Sequence, residues 1–366
     1  MTTVYWDLTT RCNARCLYCS AWQDRAAGRD VAPSPGFART VLAGLRAAGT
    51  TRVVMLGGEP TLIPHLPGII ADAVRLGMRV GLATNGIDHD TRLRAALLDR
   101  PEVSITISLD SYFADENDAV RGSGYHAHSL AALQALLAGR RANGAHSPGI
   151  WVQATLTRAN LARLEESLTR LADLDVDGIL LDRMRSFAWQ PPAVRALAPR
   201  PAEWIAGAVR LARAARHAGP GRMLLNYGHA RLRGALAARF DIALPAERSC
   251  PAGLQTAVLD IAGVLHPCRL ARARPVPVRA DGRPWYERQT LRAGRPEAAA
   301  FLDAPYFVGF FNFAHSASIY EPLALCRDCP HAPDCEPCPL DVVTRGDAVL
   351  AECRHLIEEG LPDDDD

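Results

Sequence analysis

From residue 3 to about residue 220 the chain alternates short β-branched or apolar runs with longer segments of helical period. Residues 3–9 (TVYWDLT), 52–58 (RVVMLGG), 79–85 (RVGLATN), 103–110 (VSITISLD), 150–157 (IWVQATLT) and 178–184 (GILLDRM) read as six strands. The intervening segments FARTVLAGLRAAG, LPGIIADAVRLG, TRLRAALLDR, SLAALQALLAGRRANG and LARLEESLTRLADL carry apolar residues at i, i+3, i+4 and i+7, with Gly or Pro near their ends. A sixth, PAEWIAGAVRLARAARHAG, follows the last strand. Successive βα units predict a parallel sheet with right-handed crossovers, so residues 1–220 read as an α/β fold, a partial (β/α)6 TIM-like barrel. Chemistry in such a barrel gathers at the carboxyl ends of the strands. Cys12 follows the first strand, GGEP ends the second, TNG the third and SLD the fourth, so these residues are expected on one face.

Beyond residue 220 the periodicity fades into stretches rich in Pro, Gly and Arg, such as HPCRLARARPVPVRADGRPWYERQTLRAGRP. Residues 221–358 therefore read as a second, irregular domain that buries little apolar surface per residue. Seven of the ten cysteines fall between positions 250 and 353, and metal is the available staple for such a segment. Residues 359–366, ending PDDDD, read as a solvated acidic tail.

Composition narrows the function classes. All 41 basic residues are Arg, which excludes Schiff-base lysine chemistry and a Walker lysine. A net charge of +1 offers no surplus for a run of phosphates, so no nucleic-acid partner is expected. No signal-peptide core and no apolar run near eighteen residues is present, so no membrane partner is expected either, and a soluble cytoplasmic protein is. Cysteines in that compartment stay reduced and favour metal ligation or redox catalysis over disulfides.

Cys12, Cys16 and Cys19 stand on one loop after a strand, one ligand short of a closed tetrahedral site. Three such thiolates can hold three irons of a [4Fe-4S] cubane and leave the fourth open. This C-x3-C-x2-C run resembles the signature of radical S-adenosylmethionine (SAM) enzymes. The resemblance implies that SAM chelates the open iron and that its one-electron cleavage gives a 5′-deoxyadenosyl radical that abstracts hydrogen from substrate. It also implies roles for other residues. Gly57, Gly58 and Glu59 in GGEP resemble the motif that binds the SAM amino group, the glycines allowing close backbone approach to a ligand. Tyr18 matches an aromatic position that packs on adenine. Ser108, Asp110 and Arg121 resemble the stretch that grips the SAM carboxylate with a hydroxyl and a guanidinium. Asn85 in TNG reads equally as a ligand contact or a turn residue. A zinc site short of one ligand is the alternative for the cysteine triplet.

Cys250, Gly263 and Cys268, followed by Cys326, Cys329, Cys335, Cys338 and Cys353, resemble the SPASM extension of radical SAM enzymes, which carries two auxiliary iron-sulfur clusters. That resemblance implies one cluster on Cys326, Cys329, Cys335 and Cys353. The other would lie on Cys250, Cys268 and Cys338, with a free or non-cysteine fourth ligand. Only Glu336 and Pro337 separate Cys335 from Cys338, one residue fewer than the family pattern. Alone, C-x2-C-x5-C-x2-C would suit a zinc knuckle.

Relatives of this kind mostly modify ribosomally made peptides, so oxidation, cross-linking or epimerisation of a peptide is the first expectation. Dehydrogenation of a small molecule such as an aminocyclitol is the alternative, and a zinc-stapled non-enzymatic binding protein a remote one. A reducing donor of flavodoxin or ferredoxin type is implied. The strand pattern begins at residue 3, from which either a separate leader-peptide recognition protein or a small substrate is expected. Sulfatase maturation is disfavoured because Arg269 follows Cys268 where a carboxylate base is expected. Asp260 and His266 are the candidate bases nearby.

Overall fold

The structure, a computed structural model, describes residues 2–19, 31–87, 91–144, 147–186, 190–219, 222–225, 230–244, 250–273, 276–279, 281–319, 323–327, 329–331, 335 and 338–362. The six predicted strands form: β1 (Thr2–Thr9), β2 (Thr50–Gly57), β3 (Arg79–Thr84), β4 (Val103–Ser108), β5 (Gly149–Leu156) and β6 (Gly178–Arg183). Each pairs in parallel with the next. The crossovers are α1 (Pro35–Ala47), α2 (Leu66–Arg75), α3 (Thr91–Leu98), α4 (Ala114–Arg121) with α5 (Tyr125–Asn143), and α6 (Leu164–Ala172); α7 (Pro201–Ala218) follows β6.

The sheet continues past both edges of the predicted six. β7 (Met223–Leu225) pairs in parallel with β6, and β8 (Thr256–Leu259) pairs in parallel with β1. β9 (Val264–His266) and β10 (Leu291–Arg292) then add antiparallel, giving the order β10-β9-β8-β1-β2-β3-β4-β5-β6-β7. Strands of two to four residues are too short to show a period in the sequence. Among the described residues β10 and β7 remain edges, so the sheet is a partial barrel.

Which face of the sheet is buried follows from side-chain alternation. Val4, Trp6 and Leu8 of β1, Ile105 and Ile107 of β4, and Ile150, Val152, Ala154 and Leu156 of β5 are buried and belong to one core with helix residues such as Leu42, Leu45, Leu133 and Leu168. The opposite positions, Ser104, Thr106 and Ser108 of β4 and Trp151, Gln153 and Thr155 of β5, are only half-buried. Parallel strands covered on both faces are normally apolar throughout. Here the alternation marks an inner face left open as a polar lumen. Helix entry is equally local: Ser34 Oγ accepts from the Phe37 amide at 3.2 Å and Pro35 opens α1, while Ala38, Val41, Leu42 and Leu45 line its buried stripe.

The later region joins the core of the barrel and does not build a separate one. Tyr306, Phe307, Phe310 and Phe313 on α9 (Pro305–Ala314) are buried with Phe301 and Tyr286, where α8 is Ala230–Phe240, α10 is Pro339–Arg345 and α11 is Ala351–Glu358. α11 packs on α7 and α8. Ion pairs Arg183–Glu352 at 2.5 Å and Arg185–Asp341 at 2.7 Å tie the end of β6 to α11 and α10. No helix among the described residues is long and apolar enough to cross a membrane. Of the acidic tail, residues 363–366 lie outside the described residues, as do Glu336 and Pro337.

Candidate active site

The loop that leaves β1 carries Cys12, Cys16 and Cys19 and is clamped from the end of β2. The amides of Gly58 and Glu59 donate to the carbonyls of Thr9 and Arg11, each at 2.6 Å. Gly57 has φ +132°, and a Cβ there would stand 2.5 Å from the Thr9 oxygen. At Gly58 it would stand 2.0 Å from the Arg11 oxygen. The close approach expected of this Gly-Gly pair is therefore made to the backbone of the cysteine loop. Gly58→Ala is expected to push the loop off its seat and lower the iron retained by Cys12, Cys16 and Cys19, measured as iron per chain after anaerobic reconstitution, while the later cysteines keep theirs.

Glu59 completes the clamp. Its Oε1 accepts from the Thr61 amide at 3.1 Å and from the hydroxyls of Thr61 and Thr84 at 2.7 Å, and Oε2 accepts from the Asn85 amide at 2.7 Å. Burial raises its carboxyl above the ordinary range, and these donors oppose the rise. Its oxygens thus join the ends of β2 and β3. Asn85 is a turn residue: its Oδ1 accepts from the Ile87 amide at 3.0 Å, and its Nδ2 reaches Asn13 Oδ1 at 2.7 Å on the cysteine loop. Asn13, which sequence reading missed, also receives the Tyr125 hydroxyl on its carbonyl.

Across the loop stands a buried charged group. Arg121, the last residue of α4, donates Nη2 to Asp110 Oδ1 at 2.8 Å, and Tyr18 donates its hydroxyl to Asp110 Oδ2 at 2.6 Å. The Thr155 amide also donates to Oδ1 at 2.8 Å. The backbone of Asp110 is held by Asn117 and Asn160 at 3.0 and 2.8 Å, two further residues sequence reading missed. Tyr18, Asp110 and Arg121 are thus brought together, with the guanidinium 5.8 Å from the Tyr18 ring centre. The Leu17 amide donates to the Val120 carbonyl at 2.9 Å, which locks the cysteine loop to α4. Burial pushes the Cys16 thiol up to about 12, Arg121 draws it back, and Cys19, Asp110 and Cys12 add to the rise. Ser108 stands one turn of strand away on the lumen face, half-buried.

A SAM-chelating iron-sulfur cluster fits this site on two grounds. A buried thiol that resists ionisation by itself becomes a thiolate when a soft metal replaces its proton. Arg121 Nε is buried and without a hydrogen-bond partner among the described residues, which leaves a charged donor for an anionic group beside Cys16.

The seven later cysteines separate into two groups. Cys338 and Cys250 lie near enough to Cys268 for their charges to add to the burial that raises its thiol to about 12. Cys335 and Cys326 do the same to Cys353, likewise raised to about 12, chiefly by burial. Arg231 donates to Cys329 Sγ and the Ala230 amide to Cys335 Sγ, each at 3.4 Å, so Cys329 and Cys335 both meet the start of α8. The C-x2-C-x5-C-x2-C run is therefore split between groups, whereas a zinc knuckle needs its four cysteines around one ion. Among the described residues no three Cys, His, Asp or Glu side chains converge as a single metal ion would require. Thiolates on a cubane each bind a different iron and stand farther apart.

Asp260 and His266 form a pair across the turn between β8 and β9. Their Oδ2 and Nε2 are 3.1 Å apart, and the Val264 amide donates to Asp260 Oδ1 at 2.9 Å. Against the cost of burial, the His266 and Val264 bonds hold the Asp260 carboxyl below its ordinary range. Arg269, with Arg272 at 3.1 Å, is committed to Asp7 on β1.

Residues 6–147 match the family model of the Radical SAM superfamily. The mycofactocin maturase MftC of Mycobacterium tuberculosis is 29% identical over 164 residues, 45% of this chain and 40% of that protein. The PqqA peptide cyclase of Streptomyces rochei is 29% identical over 216 residues, 58% of this chain and 57% of that one. The chain thus spans about half the length of these curated relatives. Among solved structures, anSMEcpe with bound AdoMet and the Cp18Cys peptide aligns over 98% of this chain and 96% of that one, with TM-score 0.68 at 11% identity. That likeness shows the fold, an α/β partial barrel with a parallel sheet, and the cysteine-rich region is compatible with it.

Proposed function

We propose that this chain, whose residues 6–147 match the Radical SAM superfamily, is a radical SAM enzyme that modifies a peptide and carries two auxiliary clusters. The observation that carries the reading is the cysteine triplet clamped by Gly57, Gly58 and Glu59 against Arg121, whose Nε lies buried without a partner among the described residues. Cys12, Cys16 and Cys19 would hold a [4Fe-4S] cluster that, reduced by an external one-electron donor, would supply the electron that splits SAM into methionine and a 5′-deoxyadenosyl radical. Arg121 would hold the SAM carboxylate through its open edge, with the Ser108 hydroxyl on the same side, while Asp110 keeps the guanidinium in place. Tyr18, fixed by Asp110, would offer its ring to the adenine. Cys250, Cys268 and Cys338, and Cys326, Cys329, Cys335 and Cys353, would hold the auxiliary clusters.

Substrate would stand in the lumen. Thr106, Ser108, Gln153 and Thr155 present hydroxyl and amide groups there, and Asp182, held to Gln153 at 2.7 Å, adds an exposed carboxylate at the carboxyl end of β6. Groups that donate and accept along neighbouring strands suit an extended peptide backbone. The relatives named as maturase and peptide cyclase, and the neighbour solved with a peptide, support a peptide as substrate. Anaerobically reconstituted protein is expected to modify a precursor peptide in the presence of SAM and dithionite. Mass spectrometry would show loss of hydrogen, or deuterium uptake from D2O, in step with 5′-deoxyadenosine. Turnover of an aminocyclitol alcohol with every peptide untouched would contradict the peptide reading and leave the radical step standing.

A further inference from the structure

Cys268 and its two neighbours, Cys250 and Cys338, offer three thiols where a cubane takes four ligands, and among the described residues the same neighbourhood holds buried polar atoms without partners. His266 Nδ1, Tyr286 Oη and Tyr306 Oη are all buried and unpaired among the described residues. The tyrosines stack at 5.9 Å, and the His266 ring meets Tyr306 edge-on at 6.4 Å. Cys268 is close enough for its charge to act on both phenols. A buried polar atom left without a partner forfeits its hydration with nothing in return, so three around one cysteine call for a group that they serve.

His266 differs from the tyrosines in how it is held. Its Nε2 faces Asp260 Oδ2 at 3.1 Å, and that carboxylate can only accept, so Nε2 carries a proton and, in the neutral ring, Nδ1 presents a lone pair. Asp260 is fixed in turn by the amides of Ala262 and Val264, both at 2.9 Å on Oδ1. A carboxylate holding the far nitrogen of a buried imidazole is the arrangement that orients histidine ligands to metals. His266 also ends β9 two residues before Cys268, so one short segment can supply two ligands. A substrate base, by contrast, must reach substrate, and Nδ1 is closed to solvent.

We propose that His266 Nδ1 is the fourth ligand of the auxiliary cluster held by Cys250, Cys268 and Cys338, with Asp260 as the residue that orients it. The inference rests on the auxiliary-cluster reading above. It reassigns the two candidate bases: the pair closes a cluster from within, and no iron there is left for substrate.

The test uses the full chain with Cys12, Cys16 and Cys19 all replaced by Ala, reconstituted without SAM, so that only the auxiliary clusters contribute. About eight irons per chain are expected, two cubanes. Pulsed EPR of the reduced protein should show a directly bound nitrogen whose coupling scales with the isotope when histidine is 15N-labelled. His266→Ala should abolish that coupling, and His266→Cys should lose it while retaining all of the iron. Eight irons with no strongly coupled nitrogen would overturn the inference and leave the clusters standing, as would a coupling that survives His266→Ala. About four irons or fewer would instead overturn the reading of two auxiliary clusters, and the inference with it.

Discussion

Replacement of Cys16 by Ala is expected to lower reductive SAM cleavage by about a thousandfold or more, ~4 kcal/mol of barrier. Iron should fall by about four atoms per chain, one cubane. The effect is large because three thiols are the smallest set that holds a cubane with one iron open, and two do not. Cys16 is also the best placed of the three. It is buried, its neighbour Leu17 is bonded to Val120, and Arg121 acts on its thiol from the end of α4. Cys16→Ser keeps the shape and offers a harder oxygen in place of sulfur, so it should fail in the same way. The checks are 5′-deoxyadenosine by chromatography and iron by colorimetry. Full cleavage by the alanine variant would remove the triplet from the reaction.

The second large effect is expected at Arg121, and it falls on stability and SAM binding together. Arg121→Met leaves the Asp110 side chain, 0% exposed, as a buried charge without its counter-ion. Breaking a buried pair from one side costs about 3–5 kcal/mol. Removing both charges in Asp110→Asn/Arg121→Met should recover much of that loss, because the new amide can keep its oxygen on the Thr155 amide and turn its NH2 to the Tyr18 hydroxyl, which can accept. SAM affinity should not recover. A lost hydrogen bond between charged groups, ~1.5–3 kcal/mol, weakens binding by about tenfold or more in both variants. Urea midpoints and titration calorimetry separate the two effects. Unchanged affinity beside lowered stability would make Arg121 a brace for Asp110 alone.

The barrel and the grouping of the cysteines were legible in the sequence for different reasons. Strands β1 to β6 are long enough for alternation to show, and the cysteine spacing is a local property of the chain. α4 escaped the hydrophobic pattern because ADENDAVR carries little beyond Val120 to form an apolar stripe, although it delivers Arg121. β7, three residues long, had no period to read. The partners of site residues were less visible than the residues themselves. Gly57 and Gly58 were expected to make room for a ligand, and the molecule uses that room for the carbonyls of Thr9 and Arg11. Asn85 reads alike as contact or turn until its bond to Asn13 is seen, 72 positions away. The Asp260–His266 pair spans only the turn at Gly263, with φ +77°, yet its role depends on what Nδ1 faces, which no spacing states.

The central claim is that an iron left open by Cys12, Cys16 and Cys19 binds SAM beside Arg121. The most direct test is the EPR spectrum of the dithionite-reduced, reconstituted protein with and without SAM. The account predicts a [4Fe-4S] signal that SAM shifts, and that vanishes in Cys16→Ala while the auxiliary signals persist. A spectrum unchanged by saturating SAM would contradict it.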